Sequence, residues 1–188
     1  MGRCYHEGLG VAKNNREAIK WLKLAAEQGH EKAQDLLNLI NGQECSVDHN
    51  LDAAALLAKG EACYNFGQYK ETFVRLEQAV AKGDIDAMSK LGDCYLHGYG
   101  TQRNYEKAFE CYKKGASNGN GVAQCNLGKC YYYGYGTNID YQIAFTWLSK
   151  AAFACIKEAQ LLLSECYKYG RGVGVDHKEE IRWYKKAN

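Results

Sequence analysis

One phrase, written four times in this chain, constrains its fold more than any other feature. Cys94, Cys130 and Cys166 recur every 36 residues, each followed by a tyrosine: Tyr95, Tyr131 and Tyr167. Gly98, Gly134 and Gly170 keep the same step, as do Gly100, Gly136 and Gly172, and as do Trp147 and Trp183. At the N-terminus the phrase returns as MGRCYHEGLGV, with Cys4, Tyr5, Gly8 and Gly10. A fixed period of this length marks an array of supersecondary units. No single unit can bury its own apolar face, so neighbours stack to make a continuous core.

Each copy reads as two helices. In AQCNLGKCYYYG, residues Ala123, Leu127, Cys130 and Tyr131 fall on one helical face. Gly134 follows where a left-handed helix stop favours glycine, and Gly136 lets the backbone turn tightly. The side chain between the two glycines is expected to point outward. Asp140 and its equivalents Asn14, Asn104 and Asp176 stand where an N-cap is needed, with capping-box spacing from Asn14 to Glu17 and from Asp176 to Glu179. A second helix follows in REAIKWLKLAAEQG, YEKAFECYKKGASNG and YQIAFTWLSKAAFAC. Its small residues (Ala18, Ala25, Ala108, Ala144) allow close approach, and its large ones (Trp21, Phe109, Tyr112, Trp147) fill the gaps between helices.

Composition narrows the function classes. The 188 residues carry 24 basic and 22 acidic side chains, a net charge of +2, which argues against a dedicated nucleic-acid binder. No apolar run reaches membrane-spanning length and MGRCYHEGLG does not read as a secretory leader, so a cytoplasmic home is expected. There are 20 glycines and no proline, as suits many tight turns between short helices. The nine cysteines contain no Cys-x-x-Cys pair and no zinc spacing; Cys94 with His97 offers only two ligands. Cys4, Cys63, Cys94, Cys130 and Cys166 repeat one inner position, which reads as a packing plug rather than a nucleophile. There is no phosphate-binding loop, and the Gly-x-Gly corners follow helices rather than strands, so they are not a dinucleotide fingerprint. The five histidines are scattered without a triad partner in sequence.

The pattern LGxxYxxGxG, a capping Asp or Asn, then AxxWYxKAAxxGxxxAQ resembles the Sel-one-like repeat (SLR) family, relatives of the tetratricopeptide repeat. LGDCYLHGYGTQRNYEKAFECYKKGASNGNGVAQ matches over its whole length, and LGKCYYYGYGTNIDYQIAFTWLSKAA nearly as well. About three quarters of the chain is covered by such units. LLAKGEACYNFGQYKETFVRLEQAVAKGD lacks the Gly-x-Gly corner. It resembles a plain tetratricopeptide repeat, with Gly60, Gly67, Tyr69, Leu76 and Ala79 at that family's key places. The resemblance implies an all-α fold, a right-handed α/α superhelical solenoid of helix hairpins. The expected organisation is one array over 1–188, with units at about 1–34, 51–86, 87–122, 123–158 and 159–188, and an irregular helix and loop at 35–50. Several positions depart from the pattern. Cys111 stands at the tryptophan position, Cys155 at the helix-end glycine of Gly29 and Gly119, Ser164 at the small glycine of Gly92 and Gly128, and Glu180 at an alanine. The ends read as cut, so a fragment of a longer chain is one expectation.

The family binds partners in the concave groove lined by first helices. The resemblance places exposed groove positions at Asp93, Leu96 and His97, then Lys129, Tyr132 and Tyr133, then Glu165, Lys168 and Tyr169. Glu61, Tyr64 and Asn65 come from the tetratricopeptide-like unit, and Arg3, His6 and Glu7 extend the groove N-terminally. Tyr132 and Tyr133 follow Tyr131 on different helix faces, so at least one must leave the core. Tyr99 and Tyr135 form a second candidate patch on the corner edge. The implied function is a non-enzymatic scaffold or adaptor for a protein or peptide, with no cofactor, no metal, no nucleic acid and no membrane insertion. The alternative is the regulatory repeat region of a larger signalling enzyme such as a kinase. Hydrolase activity, suggested for some bacterial relatives, and a redox or metal role for the cysteines are the remaining readings.

Overall fold

The computed structural model describes residues 15–40 and 51–188. The first copy of the phrase with Asn14, the groove extension Arg3, His6 and Glu7, and positions 41–50 lie outside the described residues. Among the described residues are ten helices and no strand. They are α1 (Asn15–Glu27), α2 (Glu31–Ile40), α3 (Ala53–Asn65), α4 (Tyr69–Ala81), α5 (Ile85–His97), α6 (Tyr105–Ser117), α7 (Gly121–Tyr133), α8 (Tyr141–Phe153), α9 (Lys157–Tyr169) and α10 (His177–Ala187). The chain is an all-α helical repeat solenoid. It divides into two compact units, Met1–Leu51 with Glu61–Gln68, and Asp52–Gly60 with Tyr69–Asn188.

In the first unit α1 and α2 form a hairpin closed on Leu22, Ala33 and Leu37, with Ile19, Ala25 and Ala26 packed around them. Trp21, expected as a gap filler, is 38% exposed. Its register turns it off the Leu22 stripe, and Leu22 takes the buried place.

In the second unit each helix from α4 onward packs on the next, and α5 also touches α7. The hairpins α5–α6, α7–α8 and α9–α10 are built alike. Gly98, Gly134 and Gly170 end their first helices in the left-handed conformation, and their N–H groups bond back to the carbonyls of Cys94, Cys130 and Cys166. The next N–H, of Tyr99, Tyr135 or Arg171, bonds to the same cysteine carbonyl at 2.9–3.0 Å. The repeated cysteine thus anchors the helix end with its backbone while its side chain plugs the core. The caps follow as expected. Asn104 Oδ1 accepts from Lys107 N–H at 2.9 Å, Asp140 from Gln142 and Ile143, and Asp176 from Lys178 and Glu179. Each such cap contributes about 1 kcal/mol. The cap residue's own N–H reaches back to the carbonyl of Tyr95, Tyr131 or Tyr167, which ties the corner to its first helix.

The second glycine of each corner does more than turn the chain. A Cβ on Gly100, Gly136 or Gly172 would fall on the main-chain carbonyl of Tyr69, Tyr105 or Tyr141, the first residue of the preceding second helix. Glycine is therefore the contact between one hairpin and the one before it. A ring ladder runs parallel to that contact. Phe73–Tyr95, Phe109–Tyr131 and Phe145–Tyr167 meet edge to face at 5.3, 5.4 and 5.5 Å, joining each second helix to the next first helix.

Inside each hairpin a small residue faces a large one. A Cβ on Gly128 would lie 2.8 Å from Leu148, and one on Gly92 would strike the Tyr112 ring, while Gly60 faces Leu76 at 3.4 Å. Tyr112, Leu148 and Leu76 are at most 2% exposed. Ser164 puts a side chain into this space, and Tyr184, which stands where Tyr112 and Leu148 stand, is 56% exposed. Cys155 takes the helix-end position with φ of 62°, a left-handed backbone that suits the glycines it replaces. Glu180, at the alanine position, is half-exposed and bonded to His177 at 2.8 Å.

Two glycine substitutions separate turning from contact. Gly119 has φ of +84° and open space around it, so Gly119→Ala meets only the backbone penalty, about 1 kcal/mol. Gly136→Ala adds a collision with the Tyr105 carbonyl and should cost about 3 kcal/mol or more. Urea melts of the two variants should show a clearly larger midpoint drop for Gly136→Ala; equal drops would remove the contact from the account.

Candidate protein-interaction face

The first helices α5, α7 and α9 carry the residues that sequence assigns to the groove. They are tied together by a chain of polar contacts. Tyr112 donates its hydroxyl to Asp93 Oδ1 at 2.6 Å, and Asn126 Nδ2 donates to the same oxygen at 3.2 Å. Lys129 Nζ donates to Asn126 Oδ1 at 3.3 Å and to Glu158 at 3.0 Å. One line of side chains therefore runs from α6 through α5 and α7 to α9. Burial pushes the Asp93 carboxyl up, and the Tyr112 hydroxyl and the Lys129 charge partly offset it. Burial works to lower the Lys129 pKa, but the bond and charge of Glu158 outweigh it and the net shift is upward. The pair is half open to solvent, so its stabilising effect is about 1 kcal/mol at most.

The expected positions divide into two sets. His97, Tyr133, Glu165, Lys168 and Tyr169 are exposed, with Tyr133 at 46% and Tyr169 at 58%. Leu96 is half-buried against the α6–α7 core. Tyr132, expected in the open groove, is 3% exposed. Its hydroxyl donates to Glu165 at 3.2 Å and accepts from Arg171, and its ring meets Tyr133 and Tyr141 edge to face. The side chain that leaves the core is Tyr133. α7 is buried on more sides than a single stripe: Cys125, Asn126, Gly128 and Tyr132 are all buried with Ala123, Leu127 and Cys130. Glu61, Tyr64 and Asn65 are exposed on α3 and belong to the first unit.

The corner residues do not stand free. Tyr99 stacks on Tyr69 at 4.9 Å and Tyr135 on Tyr105 at 5.4 Å, so both are half-buried. The third corner carries Arg171 in the same place, over the rings of Tyr132, Tyr141 and Tyr169 at 5.1–5.5 Å. Sequence reasoning passed over Arg171, Asn126, Glu158, Tyr105 and Tyr141. For Arg171 the signal was present: it lies one period after Tyr135. For Asn126 and Glu158 none was, since their role depends on which helices meet.

The repeated cysteines are buried, and burial pushes the thiols of Cys94, Cys130 and Cys166, and of Cys125, up to about 12. At neutral pH they are protonated and behave as apolar plugs. Among the described residues no group of three or more His, Cys, Asp and Glu is placed to hold a metal ion. Because these thiols keep their protons to a higher pH in the folded chain than the ordinary value of 9.0, their contribution to stability is full below pH 9. It is lost as pH rises toward 12. Denaturant midpoints should fall steadily above pH 9, and serine at Cys130 should flatten that fall. At pH 8, in the folded state, a thiol reagent should label exposed Cys155 and spare Cys94, Cys130 and Cys166.

The Sel1 repeat family profile matches residues 1–30, 85–120, 121–152 and 157–188. An uncharacterized Sel1-like repeat-containing protein of Schizosaccharomyces pombe is 58% identical over 36 residues, 19% of this chain; the match spans 5% of that relative's length. The crystal structure of a Sel1 repeat protein from Oxalobacter formigenes superposes with a TM-score of 0.60 and 30% identity, covering 99% of this chain and 69% of that one. The structure of c5321, a protective antigen of uropathogenic Escherichia coli with an SLR fold, gives 0.60 and 26% identity, over 99% of this chain and 44% of that one. With the helix hairpins, the corner glycines and the matched residues agreeing, the chain belongs to the Sel1 repeat family.

Proposed function

We propose that this chain is a non-enzymatic adaptor that binds a protein partner through the face of α5, α7 and α9. Sel1 repeats mediate protein–protein contacts, and the fold is generally a non-catalytic interaction module. The observation that carries the reading is the recurrence of a large exposed side chain at the last residue of each first helix, His97, Tyr133 and Tyr169. Two of the three are tyrosines, the side chain that anchors interfaces through a broad ring and a polar tip. Charged groups of both signs surround them, Lys168 and Glu165 on α9 and the Lys129–Glu158 pair. The half-buried polar line from Asp93 to Lys129 ties the helices together, which supports a preorganised face. The cysteines copied through the array are buried and protonated, which suits packing plugs. Cys94, Cys111, Cys125, Cys130, Cys155 and Cys166 are free thiols, which suits a reducing compartment such as the cytoplasm.

Among the described residues no helix is long and apolar enough to cross a membrane. A partner reaching this face is expected to approach from solution.

Affinity purification from the native lysate, run beside a Tyr133→Ala/Tyr169→Ala variant and a Lys129→Glu variant, tests the proposal. Both tyrosines are half-exposed, so their removal should leave the thermal melt within a few degrees while reducing partner recovery at least about tenfold. A partner recovered equally by all three proteins would move the interface off this face.

A further inference from the structure

In the second unit each second helix from α4 to α8 is covered along one stripe by the first helix that follows it. α4, α6 and α8 open on Tyr69, Tyr105 and Tyr141, whose carbonyls receive Gly100, Gly136 and Gly172. One turn further on, Phe73, Phe109 and Phe145 meet Tyr95, Tyr131 and Tyr167 edge to face. Next on the stripe, Tyr112 is buried with Leu127 and Cys130, and Leu148 with Leu163 and Cys166. At the far end, Gln124 and Gln160 donate to the carbonyls of Ala116 and Ala152 at 3.5 and 3.1 Å.

α10 carries the same stripe. His177, Ile181, Tyr184 and Asn188 stand one period after Tyr141, Phe145, Leu148 and Ala152. Among the described residues no first helix covers them: Ile181 is 52% and Tyr184 56% exposed, where Leu148 is 0% and Ala152 1%. The helix itself is well made, since Asp176 caps it and its other face buries Trp183 and Ala187. Two large apolar side chains are therefore held toward solvent on a stripe that binds a first helix three times over in this chain. The three helices that fit it define what fits: a leucine, then Cys-Tyr, then Gly-x-Gly. Residues 1–10 write that phrase once more, with Met1 at the leucine place, then Cys4 and Tyr5, then Gly8 and Gly10, and no second helix stands before it in these 188 residues. Charge agrees with the match. The residue before the cysteine is Asp93 in α5, Lys129 in α7 and Glu165 in α9, so its sign alternates from hairpin to hairpin, and the Lys129 charge acts on the Asp93 carboxyl. Arg3 continues the alternation after Glu165.

We infer that the exposed stripe of α10 is an interface between copies of this chain: residues 1–10 of a second copy take the place of a following first helix, and the copies associate head to tail. Seated as its three counterparts are, that segment sets Gly10 on the His177 carbonyl, Tyr5 on Ile181 and Met1 on Tyr184. The two copies offer different surfaces, so the contact is heterologous. Each copy keeps one half unused, and the assembly grows by addition. The seat does not use Tyr133 or Tyr169, the tyrosines assigned to the partner.

Sedimentation velocity of the full chain, from about 5 to about 500 μM, should show reversible growth from monomer into dimers and longer species. Ile181→Lys/Tyr184→Lys removes the seat, and Tyr5→Lys removes the segment that fills it. Each of these proteins alone should stay monomeric over the same range. Mixed in equal amounts they should form a one-to-one dimer and nothing longer, because each still carries one intact half. Variants that had merely misfolded could not combine in this way, and a thermal melt of each checks its fold. Val122→Lys, exposed but off the stripe, should assemble as the unaltered chain does. So should Tyr133→Ala/Tyr169→Ala, which keeps this result separate from that of the partner face. A chain that stays monomeric at the highest concentration overturns the inference. Tyr5→Lys protein that still dimerises also overturns it, since α10 would then meet something other than residues 1–10, as does a mixture of the folded variants that yields no dimer.

Discussion

The array depends on a contact between two main chains. Each hairpin corner rests its second glycine on the carbonyl of the residue that opens the preceding second helix: Gly100 on Tyr69, Gly136 on Tyr105, Gly172 on Tyr141. Nothing larger than a hydrogen fits between them. This fixes how far one hairpin stands from the next, and the other repeated features follow from that distance. The phenylalanine–tyrosine edges meet at 5.3–5.5 Å three times over. The corner side chain falls onto the ring or into the ring cage of the same helix start. A repeat protein is stabilised by nearest-neighbour interfaces of this kind, so a single residue type copied at one position carries much of its cooperativity.

The corner explains why the sequence was so legible at some positions and opaque at others. Cys94, Cys130 and Cys166 were readable as plugs because a residue repeated at one place in every unit has a role that belongs to the unit. The caps at Asn104, Asp140 and Asp176 were readable because capping is local chemistry within a few residues. Tyr99 and Tyr135 were misread as outward-pointing, because their stacking partners, Tyr69 and Tyr105, lie 30 residues upstream on another hairpin. Tyr132 was placed in the open groove for the same reason. Its ring lies in the core shared with α8 and α9 and its hydroxyl is held by Glu165 and Arg171 from the following unit, and periodicity along one helix does not reveal what covers it. Local rules gave the hairpin; the contents of the face required knowing which hairpins touch.

Departures from the repeat are informative in the same physical terms. Ser164 stands where Gly92 and Gly128 make room for Tyr112 and Leu148, and Tyr184, at the matching place, is 56% exposed. Glu180 stands where Ala108 and Ala144 are fully buried, and it is kept half in solvent beside His177 and Lys168. Both changes fall in the α9–α10 hairpin. They change its inner side chains while leaving its corner intact: Gly172 still meets Tyr141, and Asp176 still caps α10. The corner contact and the hairpin interior are thus separable. The array can vary the second without losing the first.

The same separation bears on how a surface like this acquires specificity. The positions that set hairpin spacing, the glycines, the cysteines and the capping Asp or Asn, are held to one or two residue types. The positions one step away are not. The last residue of the first helix is His97, Tyr133 or Tyr169, and the corner residue is Tyr99, Tyr135 or Arg171. Each of these side chains is held by ring contacts whose geometry the backbone has already fixed, so changing its chemistry does not require refolding the corner. Arg171 shows this directly: a charged guanidinium occupies the seat of a tyrosine ring and finds aromatic faces there without disturbing its neighbours. A solenoid with invariant spacing and variable side chains along one edge can change the chemistry of that edge one corner at a time.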